Sequence, residues 1–375
     1  MSQHNILIGI TGSVAAKKAE ILISLLKKKA NIKAIVTYEG SKYIDEHNFK
    51  DIDLYFSWDD ERKKPLHIEL SRWADKFIIY PATANFISKI NQGLADDLLT
   101  STVLMYTERI MIFPAMHEEM YNNEIHQQNL ESLLTQHDIY GPRYGKLDVG
   151  DTGLGRLLEP EEAIDIIYRS NDKNIFIISG PTKEYIDDIR YITNSSTGKQ
   201  GYALAVESNS RGYNTIYISS TSSKKMITCD YYNFVNTADL LSLLDSIDMS
   251  SGYLFMPAAI SDFTVTKRLR KLDRRAGDVK LILSPNIDII KQIKERNPDL
   301  IVIGFAAELS TNVKDTKLLE KNIDYLVTND VSNKSIGFGS DYNEVTIIDN
   351  ENNSYKIPYS NKFIIAQEIM NYVIK

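Results

Sequence analysis

The residue types best suited to chemistry are concentrated in the middle of the chain, between residues 175 and 204. The run Ile175–Ile178 has the composition of a buried strand, and Gly180 and Pro181 end it. About 20 residues separate this strand from the next helical pattern, whereas ordinary connections use about 2 to 6, and long ordered loops are usually functional. We therefore expect this loop to carry a site.

The last part of the loop, residues 195–199 with the sequence SSTGK, has the composition of an anion-binding helix start. It combines hydroxyl groups, a flexible backbone and one cation. The free N–H groups and the dipole of a helix N-terminus stabilise bound anions. The segment predicts a phosphate site of the kind that nucleotides occupy, with an ordinary strand-to-helix connection as the alternative.

A second set of polar residues lies in the first half of the chain. The turn at residues 12–17, GSVAAK, opens a helix and is a weak phosphate signal, because small residues there also serve packing. Four further polar stretches follow, three of them at the ends of predicted strands: 67–75, 81–85, 96–100 and 114–121. Ligands of open α/β sheets bind outside the carboxyl ends of the strands, so this placement predicts a cofactor site.

The elements that position these residues are strand-like runs that alternate with helical patterns along the chain. The first helix is predicted from about Ala15 to Lys29. The alternation predicts an α/β fold with parallel sheets wrapped by helices. A polar stretch at residues 168–174 interrupts it, so we predict two domains, 1–170 and 171–375. The predicted strands are Ile6–Ile10, Ile32–Thr37, Phe77–Tyr80, Ile110–Phe113, Ile175–Ile178, Thr215–Ser219, Tyr253–Met256, Val279–Leu283, Leu300–Gly304, Tyr325–Thr328 and Val345–Asp349.

The composition limits the class of protein. A chain of 375 residues accommodates two domains, and 43% hydrophobic residues are enough for two cores. The net charge of -7 argues against non-specific binding to nucleic acid or to an anionic membrane, and we expect a small ligand. The single Cys229 excludes a disulfide framework and a multi-cysteine zinc site. Without a secretory signal pattern or a long apolar run, the sequence predicts a soluble cytoplasmic protein.

Taken in order, the four polar stretches of the first half resemble the flavin-dependent cysteine decarboxylase family, and within it the phosphopantothenoylcysteine decarboxylases, over roughly residues 5 to 165. The resemblance implies a flavodoxin-like fold, bound FMN and a catalytic histidine at His67, although a lone histidine is more often structural. It also implies contacts to FMN from Ser13, Thr37, Thr83 and Thr100, with Met116 and its neighbours beside the flavin ring.

Two positions depart from that family. His117 stands where the family has an asparagine that binds the substrate carboxylate, and an imidazole can still donate a hydrogen bond. Val149 stands where the family has a cysteine that protonates the ene-thiol intermediate, and valine has no proton to give. Three outcomes stay open: the domain stops at an ene-thiol, it uses another acid such as Asp148, or it binds flavin without chemistry.

The second half resembles the phosphopantothenate–cysteine ligases nearly to the C-terminus. The matching motifs are GPT at 180–182, IRYITNSSTGK at 189–199, AAISDF at 258–263, PNIDI at 285–289, GFAAE at 304–308, KN at 321–322 and NDV at 329–331. This resemblance implies a Rossmann-like domain that activates the carboxylate of 4'-phosphopantothenate with CTP. The amine of L-cysteine then displaces CMP from the acyl-cytidylate.

By this resemblance Asn194 acts on the acyl-cytidylate and Lys271 is the first lysine of a KIKK segment, whose remainder reads Leu272, Asp273 and Arg274 here. Phe305, Lys317 and Lys321 would contact the nucleotide, although Phe305 also suits a core and the two lysines suit an exposed helix face.

The chemistry alone explains further residue types. Joining a carboxylate to a nucleotide α-phosphate brings two anions together, so the site needs cations, N–H groups and a metal ion. Arg190 and Lys199 supply charge near the loop, and Asp262 offers an oxygen ligand suited to Mg²⁺.

The strongest local charge run is residues 267–275, KRLRKLDRR, with six cations and one acid. Such runs are usually solvated faces, but an acyl-phosphate intermediate must be kept from water, so this run is predicted to be a flap that closes over the substrate. The resemblance further implies homo-oligomers, built from trimers of the flavin domain and dimers of the ligase domain, up to a dodecamer. The alternative function is a ligase fused to a regulatory flavin-binding domain.

Overall fold

The computed structural model describes residues 4–58, 65–168, 173–220, 228–273, 275, 277–308, 318, 322–330, 337 and 339–374. The predicted site residues Lys317 and Lys321, together with Arg274, lie outside these described residues. The chain divides into two compact units, one of Met1–Asn171 and Asn209–Gly212 and the other of Asp172–Ser208 and Tyr213–Lys375. Within the described ranges, none of the helices has the length and apolar character needed to cross a membrane.

The first unit alternates strands with helices. Its strands are β1 (His4–Ile10), β2 (Ala30–Val36), β3 (Asp53–Tyr55), β4 (Lys76–Ala82), β5 (Met111–Pro114), β6 (Asp138–Ile139), β7 (Arg143–Lys146) and β8 (Thr152–Arg156). Its helices are α1 (Lys18–Leu26), α2 (Tyr38–Ser41), α3 (Leu66–Trp73), α4 (Ala84–Asn91), α5 (Leu98–Met105), α6 (Glu118–Tyr121), α7 (Glu124–Leu133) and α8 (Pro160–Tyr168), with 3₁₀ turns at Val14–Lys17 and Glu46–Phe49.

The sheet of the first unit has the order β3-β2-β1-β4-β5-β6, and all of its strands are parallel. The central strand β1 is a continuous apolar run because helices cover both faces of a parallel sheet, and its residues Ile6, Leu7 and Ile8 are fully buried. The chain winds outward from β1 on one side and from β4 on the other. The switch point therefore lies between the carboxyl ends of β1 and β4, where such sheets bind ligands.

The second unit repeats this plan with two additions. Its strands are β9 (Asn174–Ser179), β10 (Lys183–Tyr185), β11 (Tyr191–Thr193), β12 (Asn214–Ser220), β13 (Asp230–Phe234), β14 (Tyr253–Met256), β15 (Phe263–Thr264), β16 (Ser284–Pro285), β17 (Ile301–Glu308), β18 (Tyr325–Asp330), β19 (Tyr342–Asp349) and β20 (Ser354–Asn361). Its helices are α9 (Lys199–Ser210), α10 (Thr237–Leu244), α11 (Ile289–Arg296) and α12 (Lys362–Val373).

The main sheet of the second unit has the order β13-β12-β9-β14-β17-β18-β19-β20. Its first six strands are parallel and share the winding order of the first unit, with the switch point between β9 and β14. Strands β19 and β20 are antiparallel additions, because a connection as short as residues 350–353 permits a hairpin but not a crossover. The predicted α/β class, with parallel sheets wrapped by helices, is confirmed.

Three local predictions need correction. The loop after β9 contains the hairpin β10–β11, because its two short strands pair and bring Tyr185 edge-to-face against Tyr191 with ring centroids 5.6 Å apart. The predicted strand Val279–Leu283 has no regular structure, since no neighbouring strand pairs with it among the described residues, and Ile282 is 82% exposed. The first predicted helix begins with the 3₁₀ turn and ends at Leu26, earlier than Lys29.

Candidate functional site

Three of the predicted FMN contacts in the first unit are helix caps at the carboxyl edge of the sheet. Ser13, Thr37 and Thr83 follow β1, β2 and β4. Their side-chain oxygens accept hydrogen bonds from Ala15 N at 3.2 Å, Gly40 N at 3.1 Å and Phe86 N at 3.3 Å, respectively. A hydroxyl that accepts such a bond keeps its own hydrogen, so Ser13 and Thr83 can still donate to a ligand. The arrangement fits an anionic group such as a phosphate.

Thr100 has a different position from these three caps. It lies in the first turn of α5, is 1% exposed, and forms a capping box with Asp97, whose carboxylate oxygen is 2.8 Å from the threonine hydroxyl. Thr11, which the sequence interpretation missed, joins the two strands at the switch point. Its hydroxyl donates to the Pro81 carbonyl at 2.8 Å and accepts from Thr83 N at 3.0 Å. The hydroxyls of Thr100 and Thr11 therefore form bonds within the carboxyl edge of the sheet and do not project from it.

The segment after β5 packs against the hairpin β7–β8. The Met116 N–H donates to the Gly155 carbonyl at 3.1 Å. A side chain at position 155 would collide with the Met116 carbonyl, so this close packing requires glycine. His117 contacts Glu119 through Nδ1 and lies 3.4 Å from Asp151 through Nε2. The hydrogen bond to Glu119, reinforced by Asp151, raises the pKa of His117 above its ordinary value.

The two family departures therefore fall in one neighbourhood. Asp151, the partner of His117, belongs to the turn between β7 and β8 that also contains Val149. Val149 is 72% exposed at this turn, so no packing requirement in the described structure explains the valine. Asp148, the candidate alternative acid, lies in the same exposed turn.

His67 lies in the first turn of α3, the helix that leads from β3 back to β4. A helix that joins two parallel strands begins at their carboxyl edge, so His67 is on the same side of the sheet as Ser13 and Thr83. Its ring is 5.0 Å from that of Trp58, and its Nδ1 is buried without a hydrogen-bond partner among the described residues.

The second unit has a cavity of about 460 Å³ at the carboxyl edge of its sheet. The wall begins at the start of α9, crosses the ends of β14, β17 and β18, and includes the turn before α11. Among the predicted residues, Lys199, Asp262 and Phe305 line it. Phe305 is half-buried at the cavity wall, which favours the binding interpretation over the core interpretation.

Asn194 lies beside this cavity, directly after β11. Its side-chain amide donates to the carbonyls of Ala259 and Ile260, at 3.1 Å and 3.2 Å, and both of these residues line the cavity. The two hydrogen bonds fix the orientation of the amide. Gly198, with φ of +72°, then turns the chain into α9, a conformation that side-chain-bearing residues rarely adopt.

The end of the cavity near Asp262 is organised by Asn286. The Asn286 backbone N–H donates to the Asp262 carbonyl at 2.8 Å, and its side chain donates to Thr237 and to the Ser261 carbonyl. The nearby Asp288 caps α11. No group of three or more His, Cys, Asp or Glu side chains in the described part of the chain could hold a metal ion. Asp262 still fits Mg²⁺, which usually binds to one or two carboxylates together with substrate phosphates.

Arg190 and Lys271 are not among the residues that line the cavity. Arg190 lies at the tip of the β10–β11 hairpin, where the buried carboxylate of Asp187 accepts a hydrogen bond from the Arg190 side chain at 2.6 Å. The same carboxylate accepts from the backbone N–H of Leu272, the residue after Lys271, at 3.0 Å. These backbone and side-chain donors, with Leu272 foremost, hold the pKa of Asp187 far below its usual range. The ion pair of Lys267 with Asp188, at 2.8 Å, also ties the cationic run to this tip.

The cavity residues that the sequence interpretation did not single out include Gln200 and Lys362. Lys362 is the first residue of α12 and is only 6% exposed, although lysine is rarely buried and a cation at a helix start opposes the helix dipole. A lysine directly after the capping residue Asn361 was a weak signal in the sequence. Only the fold places it in the cavity.

Comparisons with known proteins cover both units. A family model described as the DNA/pantothenate metabolism flavoprotein C-terminal domain matches residues 170–375, and one described as Flavoprotein matches residues 1–172. The chain is 32% identical to the "Coenzyme A biosynthesis bifunctional protein CoaBC" of Bacillus subtilis (strain 168), over 100% of this chain and 97% of that protein. It is 33% identical to the protein of the same name from Haemophilus influenzae, over 100% and 98% of the two chains.

A solved C-terminal domain of a coenzyme A biosynthesis bifunctional protein CoaBC is 28% identical, covers 54% of this chain and 94% of its own, and has a TM-score of 0.44. One family model thus matches more than half of the chain, and relatives above 30% identity match it from end to end. The chain belongs to the family of bifunctional coenzyme A biosynthesis proteins.

Proposed function

We propose that this chain carries out two consecutive steps of coenzyme A biosynthesis. The second unit, residues 171–375, joins 4'-phosphopantothenate to L-cysteine with CTP. The first unit, residues 1–170, binds FMN and decarboxylates the resulting 4'-phosphopantothenoylcysteine to 4'-phosphopantetheine. The observation that carries the proposal is the cavity lined by Lys199, Asp262 and Phe305, with Asn194 fixed beside it, in a chain that resembles bifunctional relatives over its full length.

In the ligase step, an oxygen of the 4'-phosphopantothenate carboxylate attacks the α-phosphorus of CTP, and the bond to the β-phosphate breaks with release of pyrophosphate. Lys199 and the free N–H groups at the start of α9 offset the phosphate charge. Asp262 would supply a carboxylate ligand to Mg²⁺, which would offset negative charge on the phosphates. Phe305 provides an apolar face for the nucleotide.

The cysteine amine then attacks the acyl carbon, loses a proton and displaces CMP. Asn194 is the residue assigned to this intermediate, and its two bonds to Ala259 and Ile260 hold it in place before the substrate binds. Arg190 and Lys271, at the hairpin tip, are proposed to close over the reacting groups, because an acyl-phosphate must be kept from water.

In the decarboxylase step, FMN when bound would supply a two-electron acceptor for the cysteine unit and then the donor that reduces the ene-thiol, so that the conversion to 4'-phosphopantetheine is redox-neutral overall. The capping hydroxyls of Ser13 and Thr83 hold the FMN phosphate, and Thr37, Thr100 and Met116 belong to the same proposed site. His67 takes part in proton transfer with the substrate, and His117 binds the substrate carboxylate. For that contact the imidazole would exchange Glu119 or Asp151, the carboxylates that raise its pKa, for the substrate carboxylate.

A second candidate function for the first unit has its own observation. The exposed Val149 has no acidic hydrogen. Unless another acid such as Asp148 supplies the proton, the unit either ends at an ene-thiol product, with an external oxidant such as O₂ taking the two electrons, or serves as a regulatory flavin-binding domain. The proposal also includes assembly into homo-oligomers, from flavin-domain trimers and ligase-domain dimers up to a dodecamer.

The test follows each product of the purified full-length protein. Yellow colour with the absorbance of FMN reports on the first unit. Pyrophosphate release that requires both CTP and 4'-phosphopantothenate reports on the second, with ATP in place of CTP as a comparison. Mass spectrometry after addition of L-cysteine distinguishes 4'-phosphopantothenoylcysteine, the ene-thiol and 4'-phosphopantetheine. Pyrophosphate release without 4'-phosphopantothenate, or none with it, contradicts the ligase assignment.

A further inference from the structure

Lys362 is a buried cation in the wall of the cavity. Its side chain is 6% exposed, and its ammonium donates to the Gly337 carbonyl at 2.9 Å. Its backbone is held from both sides, because its N–H donates to the Asp341 carbonyl at 2.9 Å and its own carbonyl accepts from the Gln200 side chain at 3.3 Å. The backbone of Lys362 is therefore fixed beside the start of α9, where Gln200 is the second residue.

Three features of the fold oppose a positive charge at this position. The side chain is removed from water, Lys199 is a second cation nearby, and the dipole of α12 places its positive end at Lys362. Burial foremost, together with Lys199, lowers the pKa of Lys362 to about 8. An apolar residue could pack at this position without the electrostatic cost of a buried cation, so packing alone does not explain the lysine.

In the described part of the chain, the positive charges of Lys199 and Lys362 exceed the negative charge beside them. Among the described residues, the carboxylate of Asp341 is the charged group that offsets the two lysines, and it already pairs with Lys199 at 2.7 Å. The acids that line the cavity, Asp262 and Asp288, belong to the part of the wall organised by Asn286. One end of the cavity thus has an excess of cation, next to the free N–H groups at the start of α9.

We propose that Lys362 and Lys199 form a phosphate-binding subsite of the ligase cavity, with Lys362 as a substrate-binding residue. This inference rests on the proposed ligase function. The phosphate belongs either to the triphosphate chain of CTP or to the 4'-phosphate of phosphopantothenate. Both groups bear the negative charge that the subsite lacks, and the two sources are distinguished by the choice of ligand.

The experiment measures equilibrium binding to the full-length protein by calorimetry. The variants are Lys362→Met, Lys362→Arg and, as a matched control, Lys356→Met, whose lysine is an exposed residue of β20 paired with Glu344. One ligand series is CTP, CMP and cytidine, and the other is 4'-phosphopantothenate and pantothenate. A bond to a charged group predicts a loss of about 10- to 100-fold for Lys362→Met with the phosphorylated ligand. Lys362→Arg should retain most of the affinity, and Lys356→Met should match the wild type.

A loss confined to CTP assigns the subsite to the triphosphate, and a loss confined to 4'-phosphopantothenate assigns it to the other phosphate. Equal losses for phosphorylated and unphosphorylated ligands, or no loss at all, overturn the proposal. Wild-type protein that binds neither CTP nor 4'-phosphopantothenate instead contradicts the ligase function itself, so the two failures are distinguishable.

The wild-type protein offers a second measurement that does not depend on the folding of a variant. A phosphate binds the protonated lysine, so affinity for the phosphorylated ligand should fall as the pH rises from 7 to 9, through the pKa of about 8. Affinity for the unphosphorylated analogue should stay constant, and Lys362→Arg should remove the pH dependence. An affinity for the phosphorylated ligand that does not change with pH contradicts the subsite.

Discussion

The carboxyl edges of the two sheets have the same winding order but different surfaces. In the first unit, the hydroxyls of Ser13, Thr37 and Thr83 extend from the strand ends and cap the helices that follow. In the second unit, the corresponding edge is the wall of a cavity of about 460 Å³ that includes the charged residues Lys199 and Asp262. The first edge offers neutral donors, and the second offers separated charges.

The difference matches the chemistry proposed for each unit. A tightly held cofactor needs fixed neutral donors and a close backbone, since its phosphate remains bound through many turnovers. A ligase must gather several anions and release pyrophosphate, CMP and an anionic product in each cycle, so its charges must be strong and open to exchange. The same sheet order therefore serves two kinds of site, because the residues after the strands, and not the strands, determine the chemistry.

The largest expected effect is in the cavity. Asn194→Ala removes the amide that is fixed by Ala259 and Ile260, and we expect the ligase kcat to fall by about 100- to 1,000-fold. The FMN content and the reaction of supplied 4'-phosphopantothenoylcysteine should not change. The measurement is steady-state formation of 4'-phosphopantothenoylcysteine and CMP in the presence of L-cysteine, with Asn233→Ala as the control because Asn233 is exposed on β13. A parallel loss of flavin would show that the two edges are not independent.

The second change concerns the turn of the first unit. Val149→Cys places an acidic thiol where the related decarboxylases have one, and the formation of 4'-phosphopantetheine should rise by about 100-fold if a positioned proton donor is missing. Val149→Ala is the control, because it shortens the exposed side chain without adding a proton. The measurement is the ratio of ene-thiol to saturated thiol by mass spectrometry. An unchanged ratio would mean that another residue donates the proton.

A smaller effect is expected at a capping hydroxyl. Ser13→Ala removes a donor to the FMN phosphate, and the affinity for FMN should fall by about tenfold, as for one hydrogen bond to a charged group. The measurement is fluorescence titration of the flavin-free protein. Ser41→Ala is the control, since the Ser41 hydroxyl donates to the Tyr38 carbonyl within α2. Equal effects of the two variants would remove Ser13 from the cofactor site.

The smallest expected effect is a pH-dependent change at the hairpin tip. Because the pKa of Asp187 is far below its ordinary value of 3.8, its stabilising contribution is present above that pH and is lost as the pH falls towards the folded-state value. Asp187→Asn should lower the Tm by a few degrees at pH 6, and the difference from wild type should shrink below pH 3.8. Thermal unfolding from pH 6 to pH 3 measures it. A difference that is constant down to pH 3 would show that the Asp187 charge is not what holds the tip.

Much of the fold follows from local pattern. Apolar runs such as Ile6–Ile10 and Tyr253–Met256 have few alternatives to a buried parallel strand, and the structure has strands there. The sequence did not predict the hairpin β10–β11, because each strand has only three residues and forms only by pairing with the other across the turn at Asp187. The opposite error at Val279–Leu283 has the same cause, since a strand needs a partner that its own composition does not reveal.

The site shows the same division. Ordered motifs along the chain were sufficient to predict the family, the two α/β units, and the polar residues at the strand ends, because strand and helix periods and loop composition are local properties. Which of those residues meet was decided by the tertiary structure. Lys199 and Asp262 share a cavity, whereas Arg190 pairs with Asp187 outside it and the backbone of Leu272, next to Lys271, binds the same carboxylate. Lys362 joins the cavity from the far end of the chain, since burial and neighbouring charges exist only once distant elements have packed.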